Sequence, residues 1–243
     1  MTVSGFCRAT CAAFAMLGAL ALGAHSACAQ DRFDLKVLKT VFPPLQATID
    51  ALRQGDVKKA REAFADYDSM WNGVEVYINV RDRPGYELVE LELQARVTKA
   101  LDGANPDRNA IIADVQAMAT RLNQSIDIIA KAPPLHPLFD DVTRLRIVRA
   151  HLREVTPALK AGNLAKARKS FAAFNDNWDS IEDLVKARSA DGYIAIERDM
   201  IKVENALEAA KPDTDAVIAL VSAITTQYNA ALAEVNKEAQ TKR

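Results

Sequence analysis

The chain matches itself. Slid by 107 positions, Leu45 to Glu90 aligns with Leu152 to Glu197 without a gap, and 15 of the 46 positions are identical. A repeat of this kind constrains the architecture before any single element is read. The identities include Leu52/Leu159, Gly55/Gly162, Ala60/Ala167, Arg61/Arg168, Phe64/Phe171, Trp71/Trp178, Glu75/Glu182, Arg81/Arg188, Tyr86/Tyr193 and Glu90/Glu197. After one residue missing from the second copy, the match resumes as Ala100-Leu101 with Ala206-Leu207 and Pro106-Asp107 with Pro212-Asp213. The pattern reads as an intragenic duplication.

Each copy reads as four helices. In the first, helix A runs from about Asp34 to Gln54 and stops at Gly55, a residue suited to the position just past a helix end. Helix B covers about Asp56 to Val80. Pro84 opens helix C, which ends near Asp102-Gly103. Pro106 starts helix D, where a missing N–H costs nothing. Pro133-Pro134 marks the boundary between copies. The second copy repeats this, with helix A from about Leu138, helix B to Ala187, helix C from about Asp191 and helix D to near Lys237. No segment alternates with period two as a strand does. The expected fold is all-α: two tandem antiparallel four-helix units, residues 30–132 and 138–243, related by the period of 107. They form either separate bundles or one fused array.

Residues 1–29 read as a cleaved signal peptide. Arg8 is the only charge before Asp31, an apolar run extends from Cys11 to Ala24, and Ala27-Cys28-Ala29 forms a small-x-small cleavage pattern. The apolar run is too short for a bilayer core of ~30 Å. Lipidation at Cys28 is the alternative, although His25 stands where a lipobox prefers Leu. No later apolar run is read as reaching 18 residues without charge, so no second membrane segment is expected. The destination is the periplasm. Cys7, Cys11 and Cys28 all precede the expected cut, which leaves no thiol for disulfides, nucleophiles or metal ligation. A net charge of −1 with no basic block argues against nucleic acid as a partner.

Chemistry concentrates on helices B and C. Ala60, Phe64, Tyr67, Trp71, Val74 and Ile78 form an apolar stripe at helical spacing, with Glu75 on its shoulder. Tyr86, Glu90, Leu93 and Val97 line up on helix C with Glu90 inside the stripe; Tyr193, Glu197 and Met200 repeat this, and Glu204 follows on the same face. An inward carboxylate without a partner carries a large desolvation cost. One partner is arginine, with Arg61/Arg168 and Arg81/Arg188 present in both copies. The other is a cation: Glu75, Glu90 and Tyr86, and likewise Glu182, Glu197 and Tyr193, offer hard oxygens that suit iron(III), manganese, calcium or magnesium. The Glu-x-x-His pattern of ferritin-like di-iron sites is absent.

The remaining features are weaker. His136 lies in the loop between copies. His151 shares a helix face with Glu154, which allows a metal pair. Arg144, Arg146, Arg149 and Arg153 crowd one helix as a solvated face, a site for an anionic partner or a source of salt bridges between units. G-x-S-x-G, P-loop, H-E-x-x-H and haem-attachment motifs are missing, so no enzymatic activity is expected.

The stretch Leu52-x-x-Gly55-Asp56-x-x-x-Ala60-x-x-x-Phe64 resembles one tetratricopeptide hairpin, but the period is 107 rather than 34. A second resemblance rests on Ala158-Leu-Lys-Ala-Gly162, Ala167, Trp178-x-x-Ile181-Glu182, Ile196-Glu197-x-x-Met200 and Ala206-Leu207. These are similar to the helical extracytoplasmic domain that precedes the membrane part of bacterial Ftr-type iron permeases. The permease portion and its Arg-Glu-x-x-Glu-type motif are lacking here. The resemblance implies a free-standing periplasmic module that binds a metal ion or assists iron uptake, with a membrane permease or another periplasmic protein as partner. Glu75, Glu90, Glu182 and Glu197 are the matching positions.

Overall fold

The computed structural model describes residues 32–243. The expected cleavage after Ala29, the three cysteines and the question of lipidation lie outside the described residues. Within them the protein is all-α, with no strand. The elements are α1 (Phe33–Leu38), a 3-10 turn (Lys39–Val41), α2 (Phe42–Arg53), α3 (Val57–Arg81), α4 (Arg83–Tyr86), a π-helical segment (Glu87–Gln94) and α5 (Ala95–Asp102). There follow α6 (Arg108–Lys131), α7 (Leu138–Lys160), α8 (Leu164–Trp178), α9 (Glu182–Lys186), α10 (Ala190–Glu208) and α11 (Thr214–Thr241).

The turns between helices A and B are built identically. Gly55 and Gly162 adopt φ of 80° and 69°, a region in which a side chain crowds the backbone. The amides after them close the helix ends: Asp56 N donates to Ala51 O at 2.9 Å and Asn163 N to Ala158 O at 2.9 Å. Gly55 N and Gly162 N donate to Leu52 O and Leu159 O, which completes a Schellman motif in each. The next helices are then capped by Asp56 on Lys59 N and by Asn163 on Lys166 N, both at 2.9 Å. Helix C is likewise capped by Asp82 on Gly85 N and by Ser189 on Gly192 N, and helix D by Asp107 and Asp213.

Three elements depart from four plain helices per unit. The first helix A is interrupted by a 3-10 turn, and Pro43-Pro44 sit at the start of α2, where prolines need no amide donor. The second helix B breaks after Trp178. There Ser180 N and Oγ both turn to Asn177 O, at 3.3 and 2.7 Å, a local bond that competes with the helical ladder. The first helix C contains the π-helical segment, while its counterpart α10 is regular. The first copy has one more residue than the second in this stretch. In a plain α-helix an extra residue would rotate everything beyond it by ~100°. The π segment absorbs it, so Val97 and Leu101 stay buried as Val203 and Leu207 do.

Between the two architectures left open by the sequence, the packing selects a fused array. Helix α3 of the first unit lies antiparallel on α7 of the second. Gly73 permits the approach: a Cβ there would stand 3.0 Å from Ile147 Cγ1. Tyr77 Oη donates to Asp140 Oδ1 at 2.6 Å across the same junction. The buried residues of both units form one cluster, from Leu35 to Ala239.

One sequence reading is corrected here. Residues 216–233 of α11 carry no charge, and the helix is long and apolar enough, by length and composition, to cross a membrane. Val217, Val221, Ile224, Tyr228, Leu232 and Val235 of its inner face are buried against the array. That inner face belongs to the core of this fold.

Candidate functional site

Each helix C carries its glutamate to the indole of the neighbouring helix B. Trp71 Nε1 donates to Glu90 Oε2, and Trp178 Nε1 donates to Glu197 Oε1. Both carboxylates are half-buried and both tryptophans are buried. Tyr86 stacks on Trp71 and Tyr193 on Trp178, each with ring centroids 6.3 Å apart. A cation covers each tyrosine from outside: Arg83 over Tyr86 and Lys186 over Tyr193, both at 5.1 Å from the ring centre. Glu90 and Glu197 therefore face inward, as their place in the apolar stripe requires.

The arginine partner expected for them is corrected. Arg61 donates to Leu101 O at 2.6 Å and Arg168 to Leu207 O at 2.7 Å. Gly103 O and Ala209 O receive the second bond of each guanidinium. Both arginines thus close the C-terminal end of helix C, where orphan carbonyls and the helix dipole favour a cation. Arg81 caps the carbonyls of Pro133 and Pro134, and Arg188 pairs with Glu238 at 2.6 Å.

The second glutamate of each site differs between halves. Glu75 forms a salt bridge of 3.1 Å with Arg146, reached across the α3–α7 junction, and both side chains are about four-fifths buried. Burial pushes the Glu75 carboxyl up; Arg146 opposes this and Glu90 adds to it. Burial also pushes up the Tyr86 phenol, helped by Glu75 and Glu90. In the second half, desolvation followed by Glu197 and Glu182 raises Tyr193. Glu182 and Glu197 form no salt bridge among the described residues. Glu75, Glu90 and Tyr86 thus share one electrostatic neighbourhood, and Glu182, Glu197 and Tyr193 share another. Glu204 points outward and is exposed. Among the described residues no three His, Cys, Asp or Glu side chains converge as a metal site.

Beneath Glu90 the first site continues into polar residues that the repeat does not share. Gln94 Nε2 donates to Asp68 Oδ1 at 2.7 Å. Tyr67 is fully buried, and its hydroxyl is raised well above the ordinary phenol range by burial, then by Glu90, Asp68 and Glu75. Burial also raises the Asp68 carboxyl. Tyr67 Oη and Gln94 Oε1 have no hydrogen-bond partner among the described residues. The alignment holds the signal that finds these groups: Tyr67 and Asp68 face Phe174 and Asn175 in the second copy.

The other candidates resolve locally. His136 Nδ1 accepts from Leu138 N at 3.2 Å in the inter-unit loop. His151 does not pair with Glu154, which binds Lys166 at 2.7 Å. The histidine lines a cleft of about 730 Å³ between α3, α7 and α8, with Met70, Val74, Ile147 and Lys166 among its walls. Burial lowers the His151 pKa. Of the four arginines, Arg146 bridges the units, Arg149 donates to Asn229 at 3.0 Å and Arg144 covers Phe33.

The fold and site together define an all-helical protein with two tryptophan-held glutamates, one per half. Compared with protein families, with curated proteins and with solved structures, the chain matches none.

Proposed function

We propose that the protein is a non-enzymatic helical module, exported to the periplasm, that binds a metal ion or serves a metal-uptake system. The observation that carries this reading is the repeated set of two glutamates and one tyrosine around a buried tryptophan. Each set supplies only oxygen ligands, the chemistry of hard cations. A half-buried carboxylate retained in both halves favours a role beyond packing, because such a group is costly to keep. The likeness of the Gly-turn, Trp-x-x-Ile-Glu and Ile-Glu steps to the extracytoplasmic domain of Ftr-type permeases supports iron as the cargo and a permease as the partner.

The test is the metal content of the purified exported chain beside Glu90→Gln and Glu197→Gln. Wild type is expected to retain metal, and at least one of the two variants to retain less. Equal, near-zero content in all three overturns the reading.

A second reading is favoured by the Glu75–Arg146 pair and the cleft beside it: a helical scaffold that docks a partner protein, with its glutamates purely structural. Under it, added metal leaves the melting temperature of wild type unchanged, while Glu90→Gln lowers it.

A further inference from the structure

We propose that the first half alone holds a hard divalent cation, between the carboxylates of Asp68 and Glu90, the amide oxygen of Gln94 and the hydroxyl of Tyr67. The inference rests on the reading of the protein as a cation binder and names the site and the class of ion.

Two buried oxygens point to it. Tyr67 is 0% exposed and Gln94 8% exposed, yet Tyr67 Oη and Gln94 Oε1 have no partner among the described residues. Leaving a buried polar atom unsatisfied is costly, so each calls for a ligand or an ordered water. The amide cannot be turned to remove the problem. Asp68 Oδ1 accepts from Gln94 Nε2, and a reversed amide would set oxygen against carboxylate. Gln94 Oε1 is therefore a free acceptor beside an acid. Tyr67 stacks on Trp71, with centroids 6.3 Å apart, and the indole of Trp71 donates to Glu90; its hydroxyl is raised first by burial and then by Glu90 and Asp68.

The acids have oxygens to spare. Glu90 uses one oxygen on Trp71, and Asp68 uses one on Gln94. The second oxygen of Glu90 takes no side-chain hydrogen bond among the described residues, and Asn72, which donates to the main-chain oxygen of Asp68 at 2.7 Å, lies beside the Asp68 carboxylate. Arg146 is committed to Glu75, and Arg153 acts on Asp68 only through space, forming no ion pair. Two carboxylates with two neutral oxygens balance a divalent ion. The absence of nitrogen and sulfur ligands selects against zinc and copper and for calcium, magnesium or manganese.

The comparison between halves isolates the site. The second half keeps the Trp–Glu pair but has Phe174 and Asn175 opposite Tyr67 and Asp68. The counterpart of Gln94 is Met200 or Ile201, on either side of the missing residue, and neither has an oxygen. Only the first half has the π-helical segment, which spans Glu90 and Gln94. Such segments recur at functional sites.

The test titrates the chelator-treated full chain with calcium chloride and with manganese chloride by calorimetry, with iron(III) citrate as a third arm. Circular dichroism verifies folding. Wild type is expected to bind one calcium or manganese ion per chain. Tyr67→Phe and Asp68→Asn copy residues the second half already uses, so they fold; each is expected to weaken binding about tenfold or more. Gln94→Met is expected to do the same, and Glu197→Gln and Tyr193→Phe to leave it unchanged. Uptake that survives Tyr67→Phe, Asp68→Asn and Gln94→Met but is lost in Glu197→Gln overturns this inference and leaves the broader reading standing. Uptake of iron(III) alone does the same. No uptake of any of the three ions means that the pocket holds water only, and both proposals fall.

Discussion

Asp82 shows how one residue sets the position of the first site. Its main-chain oxygen accepts from Tyr86 N at 3.0 Å, and its carboxylate caps α4 at Gly85. The same carboxylate accepts from Arg121 at 2.8 Å and from Ser125 at 2.7 Å, both on α6. Gly85 is required there, since a Cβ would press on Asp82, Arg121 and Ser125. Asp82 thereby pins the start of helix C, and with it Tyr86 and Glu90, to α6. Its carboxylate is buried and Arg121 nearly so. Removing one partner of a buried pair leaves the other charge uncompensated. Asp82→Ala is therefore expected to lower the unfolding free energy by about 3 kcal/mol, read from urea denaturation. A loss under about 1 kcal/mol would show the network to be solvated and weak. In the second half Ser189 occupies this place, capping Gly192 without an arginine.

At the scale of elements, the π-helical segment is the difference between the two units that follows from a single residue of sequence. It accommodates one residue, and Leu91 within it is 60% exposed. Deleting Leu91 is expected to regularise the helix and keep Val97 and Leu101 in the core. Deleting Ile201 from α10 removes an equally exposed side chain, at 59%. There the helix is already regular, so Val203 and Leu207 would rotate by ~100° out of the core. That variant is expected to lose most of its helical circular dichroism at 25 °C, while the Leu91 deletion keeps it. Equal behaviour of the two would contradict the account of the π segment as an absorbed insertion.

Across the whole molecule, the α3–α7 junction decides whether the units act together. The close approach at Gly73 and Ile147, the Tyr77–Asp140 bond and the Glu75–Arg146 pair join two halves into one core. A single core predicts one cooperative transition. Gly73→Leu would place a side chain into Ile147, where overpacking costs about 1–3 kcal/mol or more. The expected result is a lowered midpoint with helix content preserved and a less cooperative transition. Unchanged stability would mean that the halves tolerate separation at this point.

The repeat, the helical class and the turn glycines are local properties, and they were legible in the sequence. So was the inward direction of Glu90 and Glu197, because helical periodicity alone puts them within an apolar stripe. Their partners were not legible. The indoles of Trp71 and Trp178, the role of Arg61 and Arg168 at helix ends and the reach of Arg146 to Glu75 depend on how helices pack across tens of residues of sequence. The choice of one fused array over two bundles depends on the same packing, since shape complementarity at Gly73 has no sequence period. The amino-acid order by itself determined which faces are buried, through spacing along each helix. Only the tertiary structure decided which groups meet on those faces, because hydrogen bonds and ion pairs act over a few ångströms between elements that the chain alone does not bring together.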